Sequence, residues 1–160
     1  MFVGAETVLD ISFAEARAGL AAAADGGWLR RASIQAYGEW GADLARVGPP
    51  GSVRTMSRLV DVRVTELCAR TRSAGLMLRW EAAGPGGAPF PVLDADLTLA
   101  PYGQPASVLA LAGVYRPQLR TVDGALDRVV VRRVVTDTIQ GFVNQVGHAI
   151  ARLPVSDQAV

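Results

Sequence analysis

The chain opens on FVGAETVLDIS, a loosely alternating run rich in β-branched residues, which predicts a first strand over residues 2–11. Ser12 then precedes Glu15 by the capping-box spacing, in which each side chain satisfies the other's free backbone N–H. A helix is therefore expected through EARAGLAAAA, stopping at Asp25-Gly26-Gly27. Between Trp28 and Val47, Leu29, Ala32, Ser33, Ala36, Tyr37, Trp40 and Leu44 recur at three- and four-residue steps, which favours a second helix. Gly38 and Gly41 weaken it by up to about 1 kcal/mol each. A strand over residues 34–40 is the competing reading. The turn Gly48-Pro49-Pro50-Gly51 ends the segment.

From residue 52 to 117 the period becomes two, with turn punctuation. SRLVDVRVTEL, GLMLRWEAAG, FPVLDADLTL and ASVLALAGVYR read as four strands joined by short loops, an antiparallel meander. With the first strand that makes five, and a sixth is sought within residues 52–59. Residues 123–153 contain no proline, so despite their Val-Val-Val run they predict one long helix. Asp123 is its expected cap and Asp127 suits the positive end of its dipole. A helix-rich start, a meander and a closing helix make an α+β domain over residues 1–153, followed by a flexible tail over 154–160.

Alternation places Leu76, Leu78, Trp80 and Ala82 on one face of the hairpin, with Leu93, Ala95, Leu97 and Leu99 on the matching strand. Arg79, Glu81, Asp94, Asp96 and Thr98 fall on the opposite face, joined by Asp61 and Arg63 from the preceding strand. Charges of both signs on the side away from every large apolar residue describe a solvated ladder. A metal or acid–base cluster, the competing reading, would concentrate carboxylates without matching arginines.

The last helix is expected to cover the apolar face. Arg133, Asp137, Gln140, Asn144, His148 and Arg152 form its polar stripe, with Val135, Ile139, Phe142, Val146, Ile150 and Leu153 opposite. Its first two turns break the pattern. Leu126, Val129 and Val130 project to the later polar side, while Arg128 and Arg132 project to the later apolar side. Either this end overhangs the sheet and both arginines reach water along their aliphatic stems, or they stand at the mouth of a cavity.

Composition removes several chemistries. One His and one Cys exclude an HExxH helix and a Cys-rich zinc site, and the absence of lysine excludes a Walker A loop or Schiff base. Lone Cys68 is expected to be a reduced core or strand residue, and His148 a solvent-facing one. Sixteen basic residues, all arginine, against fifteen acidic ones leave +1, too balanced for nucleic-acid binding through phosphates. No apolar run is long enough for a membrane span, and the opening decapeptide lacks a signal-peptide pattern, so a cytoplasmic location is expected.

Strand, two helices, meander and closing helix resemble the helix-grip fold of the START/polyketide-cyclase (SRPBCC) superfamily. LRWEAAGPGGAPFPVLDADLTLAPYG, LALAGVYRP and GALDRVVVRRVVTDTIQGFV look like motifs of an actinobacterial subgroup. The resemblance implies a curved antiparallel sheet of five to seven strands wrapped around a long C-terminal helix, with two short helices after strand 1. It also implies a cavity between sheet and helix for a hydrophobic or amphipathic small molecule, lipid or polyketide-like, and no cofactor. The cavity candidates are Leu78, Trp80, Tyr115, Arg128, Arg132, Thr138 and Phe142. Small residues from Ala106 to Ala112 are expected to leave it room, against filling by Trp80, Phe142, Tyr37 and Trp40. An aromatase/cyclase-type enzyme using Tyr115, Thr138 or Arg132 is the alternative. A second alternative is a ligand-free module that dimerises through Val129 and Val130; the chain is thus expected to be a monomer or homodimer.

Overall fold

In the computed structural model, residues 1–47, 59–83, 92–116 and 125–152 are described, without the side chains of 40–47, 59–60, 82–83, 125–128 and 131. The turn at 48–51, residues 52–58 of the stretch in which a sixth strand is sought, the cap at Asp123, Leu153 of the apolar stripe and the tail lie outside the described residues, as do the side chains of Trp40, Leu126, Asp127 and Arg128.

The elements follow in the order β1 (Phe2–Leu9), α1 (Phe13–Asp25), α2 (Trp28–Val47), β2 (Leu59–Val64), β3 (Cys68–Ala69), β4 (Ala74–Ala83), β5 (Val92–Pro101), β6 (Ser107–Arg116) and α3 (Ala125–Arg152). The domain is α+β. Its six strands form one antiparallel sheet in the order β1-β6-β5-β4-β2, with β3 also on β4. β1 and β2 occupy opposite edges, so among the described residues the sheet does not close.

Each helix begins and ends for a local reason. At α1 the capping box is complete: the Glu15 N–H donates to Ser12 Oγ at 3.3 Å, and the Ser12 N–H donates to Glu15 Oε2 at 2.9 Å. Gly27, with a φ of 67°, supplies the left-handed corner that turns the chain into α2. α2 is helical throughout, because burying Leu29, Ala32, Ser33, Ala36 and Tyr37 on one stripe outweighs the propensity loss at Gly38. At 20 residues it is longer than a short connecting helix.

The sixth strand is β3, a continuation of the β2 edge beyond a break. Val64 pairs with Leu78 but Cys68 pairs with Gly75, so the β2–β3 side carries one extra residue, a bulge. Thr65 fills the gap: its N–H donates to the Met77 carbonyl at 3.1 Å, and its Oγ1 accepts from the Met77 N–H at 2.8 Å. That extra residue breaks the alternation, and Cys68 stands exposed on the strand rather than in the core.

All three helices pack together, α3 lying over β1 and β6 while α2 covers β2 and β4. The inward rows are Leu76, Leu78 and Trp80 of β4, Leu93, Ala95, Leu97 and Leu99 of β5, and Leu109, Leu111 and Tyr115 of β6, all buried. α3 meets them with Val135, Ile139, Phe142, Val143, Val146 and Ile150. β6 passes so close to β5 at Gly113 that a Cβ there would run into the Asp94 carbonyl and the Ala95 side chain, an approach only glycine permits.

The charged hairpin face is a solvated ladder. Arg79 stands opposite Asp94 and bonds it at 2.9 Å, while also reaching Glu81 two residues along its own strand at 2.9 Å. Arg116 adds a third contact, 3.3 Å from Asp94. Like charges face each other between β2 and β4, Arg63 against Arg79 and Asp61 against Glu81. Each is answered along its own strand, Arg63 by Asp61 at 3.2 Å. The Arg79, Glu81 and Asp94 side chains are 40%, 38% and 30% exposed, so solvent screens them and the group is not a buried reactive cluster.

Candidate functional site

Three neighbouring strands place one row of side chains side by side: Trp80 pairs with Leu93, and Leu93 with Tyr115. The row lies at one end of the sheet, near where β4 and β6 end and β5 begins. α3 crosses above it and lowers Val135, Thr138 and Ile139, the i, i+3, i+4 spacing of a single helix face. These six residues enclose a narrow cleft between sheet and helix. The room inside is about 10 Å³, close to that of one water molecule. With the open solvent at its mouth the depression spans about 200 Å³, and its surface is apolar.

Trp80 is the junction of the three layers. Its indole meets Phe142 of α3 edge-on, with centroids 5.0 Å apart at 89°, and Tyr37 of α2 at 6.4 Å and 82°. Such T-shaped pairs set a positive ring edge against a negative face. The ring is 1% exposed, and its Nε1–H has no hydrogen-bond partner. Tyr115 is equally enclosed. Burial, and secondarily the neighbouring Tyr37 phenol, holds its hydroxyl protonated well above the usual tyrosine range. The Thr138 hydroxyl donates to the Val134 carbonyl at 2.9 Å, one turn back in its own helix.

The cleft brings together Trp80, Tyr115 and Thr138 of the seven sequence-derived candidates. Leu78 and Phe142 are buried in the core without lining it. Arg132 is exposed, outside the lining, as expected of a helix end that overhangs the sheet. Arg128 belongs to the first turn of α3, with its side chain outside the described residues. Leu93, Val135, Ile139 and the packing partner Tyr37 were not among the candidates. Leu93 lies on the same apolar face as Trp80 by alternation, and Val135 with Ile139 form an i, i+4 pair on the apolar stripe, signals that place them inward without fixing the register that joins them.

The expectation about β6 is corrected. Ala110 and Ala112 point to the outer face of the sheet, while Leu109 and Leu111 point inward, so the small residues leave no room in the interior. Alternation within a ten-residue strand fixes that assignment. The polar stripe of α3 is also not uniformly solvated. The Gln140 Nε2–H₂ donates to the backbone carbonyl of Glu6 on edge strand β1 at 3.0 Å and to Asn144 Oδ1 at 3.1 Å. On the other edge, the Arg30 Nε–H donates to the Val62 carbonyl at 3.3 Å. Helical side chains thus occupy a carbonyl on each edge strand, where an unpaired carbonyl would invite another strand. His148 faces solvent. Among the described residues, no three His, Cys, Asp or Glu side chains gather as a cation site requires, and no helix is long and apolar enough to cross a membrane.

Neither a protein-family model nor a curated protein matches the chain. Among solved structures it is similar to the crystal structure of TTHA0849 from Thermus thermophilus, at 16% identity with a TM-score of 0.48, over 94% of this chain and 97% of that one.

Proposed function

We propose that this protein binds a small hydrophobic or amphipathic molecule, lipid or polyketide-like, between the sheet and α3, as a START-like member of the SRPBCC superfamily. The observation that carries this reading is the apolar cleft at the junction of β4, β5, β6 and α3. Ligand sites of small α+β domains are concave and mostly apolar, with few polar groups for orientation. At about 10 Å³ the cleft falls far short of the roughly 300 Å³ of a formed small-molecule site, so the cavity expected from the resemblance is nearly filled. This reading therefore requires α3 to part from the Trp80–Leu93–Tyr115 row before a ligand seats. A filled interior by itself favours the dimerising module. Burial along such a ligand is worth about 25 cal/mol per Å² of apolar surface removed from water.

The cyclase-type reading is less well supported. It needs polar groups offered to the bound chain, whereas the Thr138 hydroxyl is spent on its own helix and the cleft shows an apolar surface. A dimerising module draws support from Val129, which is 70% exposed near the start of α3. Native mass spectrometry of the full chain, purified without denaturant, separates these readings. A bound mass of a few hundred daltons released by organic solvent is the expected result. A bare monomer from several preparations counts against the binding reading, and a concentration-dependent doubling of mass abolished by Val129→Asp supports the dimer.

A further inference from the structure

We propose that the outer face of β1 and β6 docks a second copy of this chain, strip against strip, about a two-fold axis. This face lies on the far side of the sheet from the cleft, so the pairing is independent of the binding reading. Alternation turns Phe2 and Val8 of β1 outward beside Val108, Ala110, Ala112 and Val114 of β6. Phe2 is 71% exposed, Val8 50% and Val114 43%, and among the described residues all three helices pack on the other side. Apolar residues exposed singly are ordinary, whereas a contiguous row of them on one face marks a contact surface.

The two ends of the strip carry opposite charges, and that points to the occupant. Exposed Arg116 stands two residues beyond Val114 at one end, and exposed Asp10 two residues beyond Val8 at the other. A two-fold axis at Ala5 and Leu111, perpendicular to the strands in the plane of contact, reverses one strip against the other. Phe2 and Val114 of each copy then meet Val8 and Val108 of the other, and each Arg116 lies opposite the other copy's Asp10. Such an isologous contact makes every favourable pairing twice. Asp10 has no ion-pair partner among the described residues. Arg116 meets Asp94 through Nη2 at 3.3 Å, and a guanidinium keeps donors for a second carboxylate. Glu6, the one charge within the strip, falls opposite Gly4, which has no side chain to obstruct it. Pairing edge to edge along β1 is opposed instead, because Gln140 already holds the Glu6 carbonyl.

Two strands at about 3.4 Å per residue and about 4.8 Å apart make a strip roughly 24 Å long and 10 Å wide. That is less than an obligate dimer buries, so the pair forms and parts with concentration. The test is sedimentation velocity of the full chain from about 10 μM to about 1 mM, the range in which so small an interface half-assembles. Reversible monomer–dimer exchange is expected. Phe2→Ser and, separately, Asp10→Arg should each weaken it at least about tenfold, with circular dichroism confirming the fold. Combining Asp10→Arg with Arg116→Asp exchanges the charges at both ends and should restore association to within about threefold of wild type. Val129→Asp, on the opposite side of the sheet, should leave it unchanged. A monomer throughout the range overturns the inference. So does association that survives Phe2→Ser but not Val129→Asp, or a charge-exchanged variant no tighter than Asp10→Arg alone.

Discussion

The two ends of α3 are held very differently. Its C-terminal half is clamped: Gly147 lies so near β1 that a Cβ would stand 2.8 Å from Leu9 and 2.9 Å from Thr7. Gly19 of α1 likewise leaves only 2.8 Å to the Ile150 carbonyl. Glycine lets the α1 and α3 backbones meet at Gly19 and lets the Leu9 and Thr7 side chains lie against the α3 backbone at Gly147, with Val146 and Ile150 buried nearby. The N-terminal turns are less enclosed: among the described side chains there, Val129 is exposed, Arg132 reaches solvent, Val130 and Val134 are half-buried, and the first fully buried one is Val135. The cleft opens where the overhang meets the sheet. A helix more deeply buried at one end than at the other is expected to open locally at the less buried end, where opening costs least.

The contrast predicts unequal responses to mutation. Ile150→Ala should cost about 2–5 kcal/mol in denaturant unfolding, the range for truncating a buried aliphatic side chain. Gly147→Val should cost about 1–3 kcal/mol by overpacking against Leu9 and Thr7. Val129→Ser, at the other end, should stay within about 0.5 kcal/mol of wild type. If Val129→Ser proved as damaging as Ile150→Ala, the overhang would be covered in solution and the contrast would be lost. Amide exchange sharpens the same point: amides of residues 143–150 should exchange only through near-global unfolding, and those of 129–133 by local opening.

The smallest expected effect is at the start of α1. Hydrogen bonds from the Ser12 side chain, then from its backbone N–H, lower the Glu15 carboxyl below its ordinary range. A lowered folded-state value means stability that is present above the unfolded value and lost as pH falls through the folded one. Ser12→Ala should therefore raise the Glu15 titration midpoint seen by carbon NMR. Its stability deficit should be present at neutral pH and shrink in acid.

Much of this architecture was legible because alternation and helical spacing are local. The capping box, both N-terminal helices, the five longer strands, the ionic hairpin face and the buried stripe of α3 all follow from residues within a few positions of one another. β3 was not, since a single inserted residue at its bulge destroys the period that marks a strand. Arg79 and Asp94 could be placed on one face from the sequence, whereas their pairing depends on a register that alternation alone leaves open. The site was only half legible. Trp80, Tyr115 and Thr138 could be named, but the volume between them depends on how closely α3 approaches the sheet.

Whether the loose end of α3 admits a ligand is tested most directly by fluorescence titration with 1-aminoanthracene, wild type against Val135→Trp, with circular dichroism confirming that the variant is folded. Saturable one-to-one binding by the wild type, at least tenfold weakened when the added indole fills the cleft, is the expected result. Equal binding by both proteins, or none by the wild type, would contradict it.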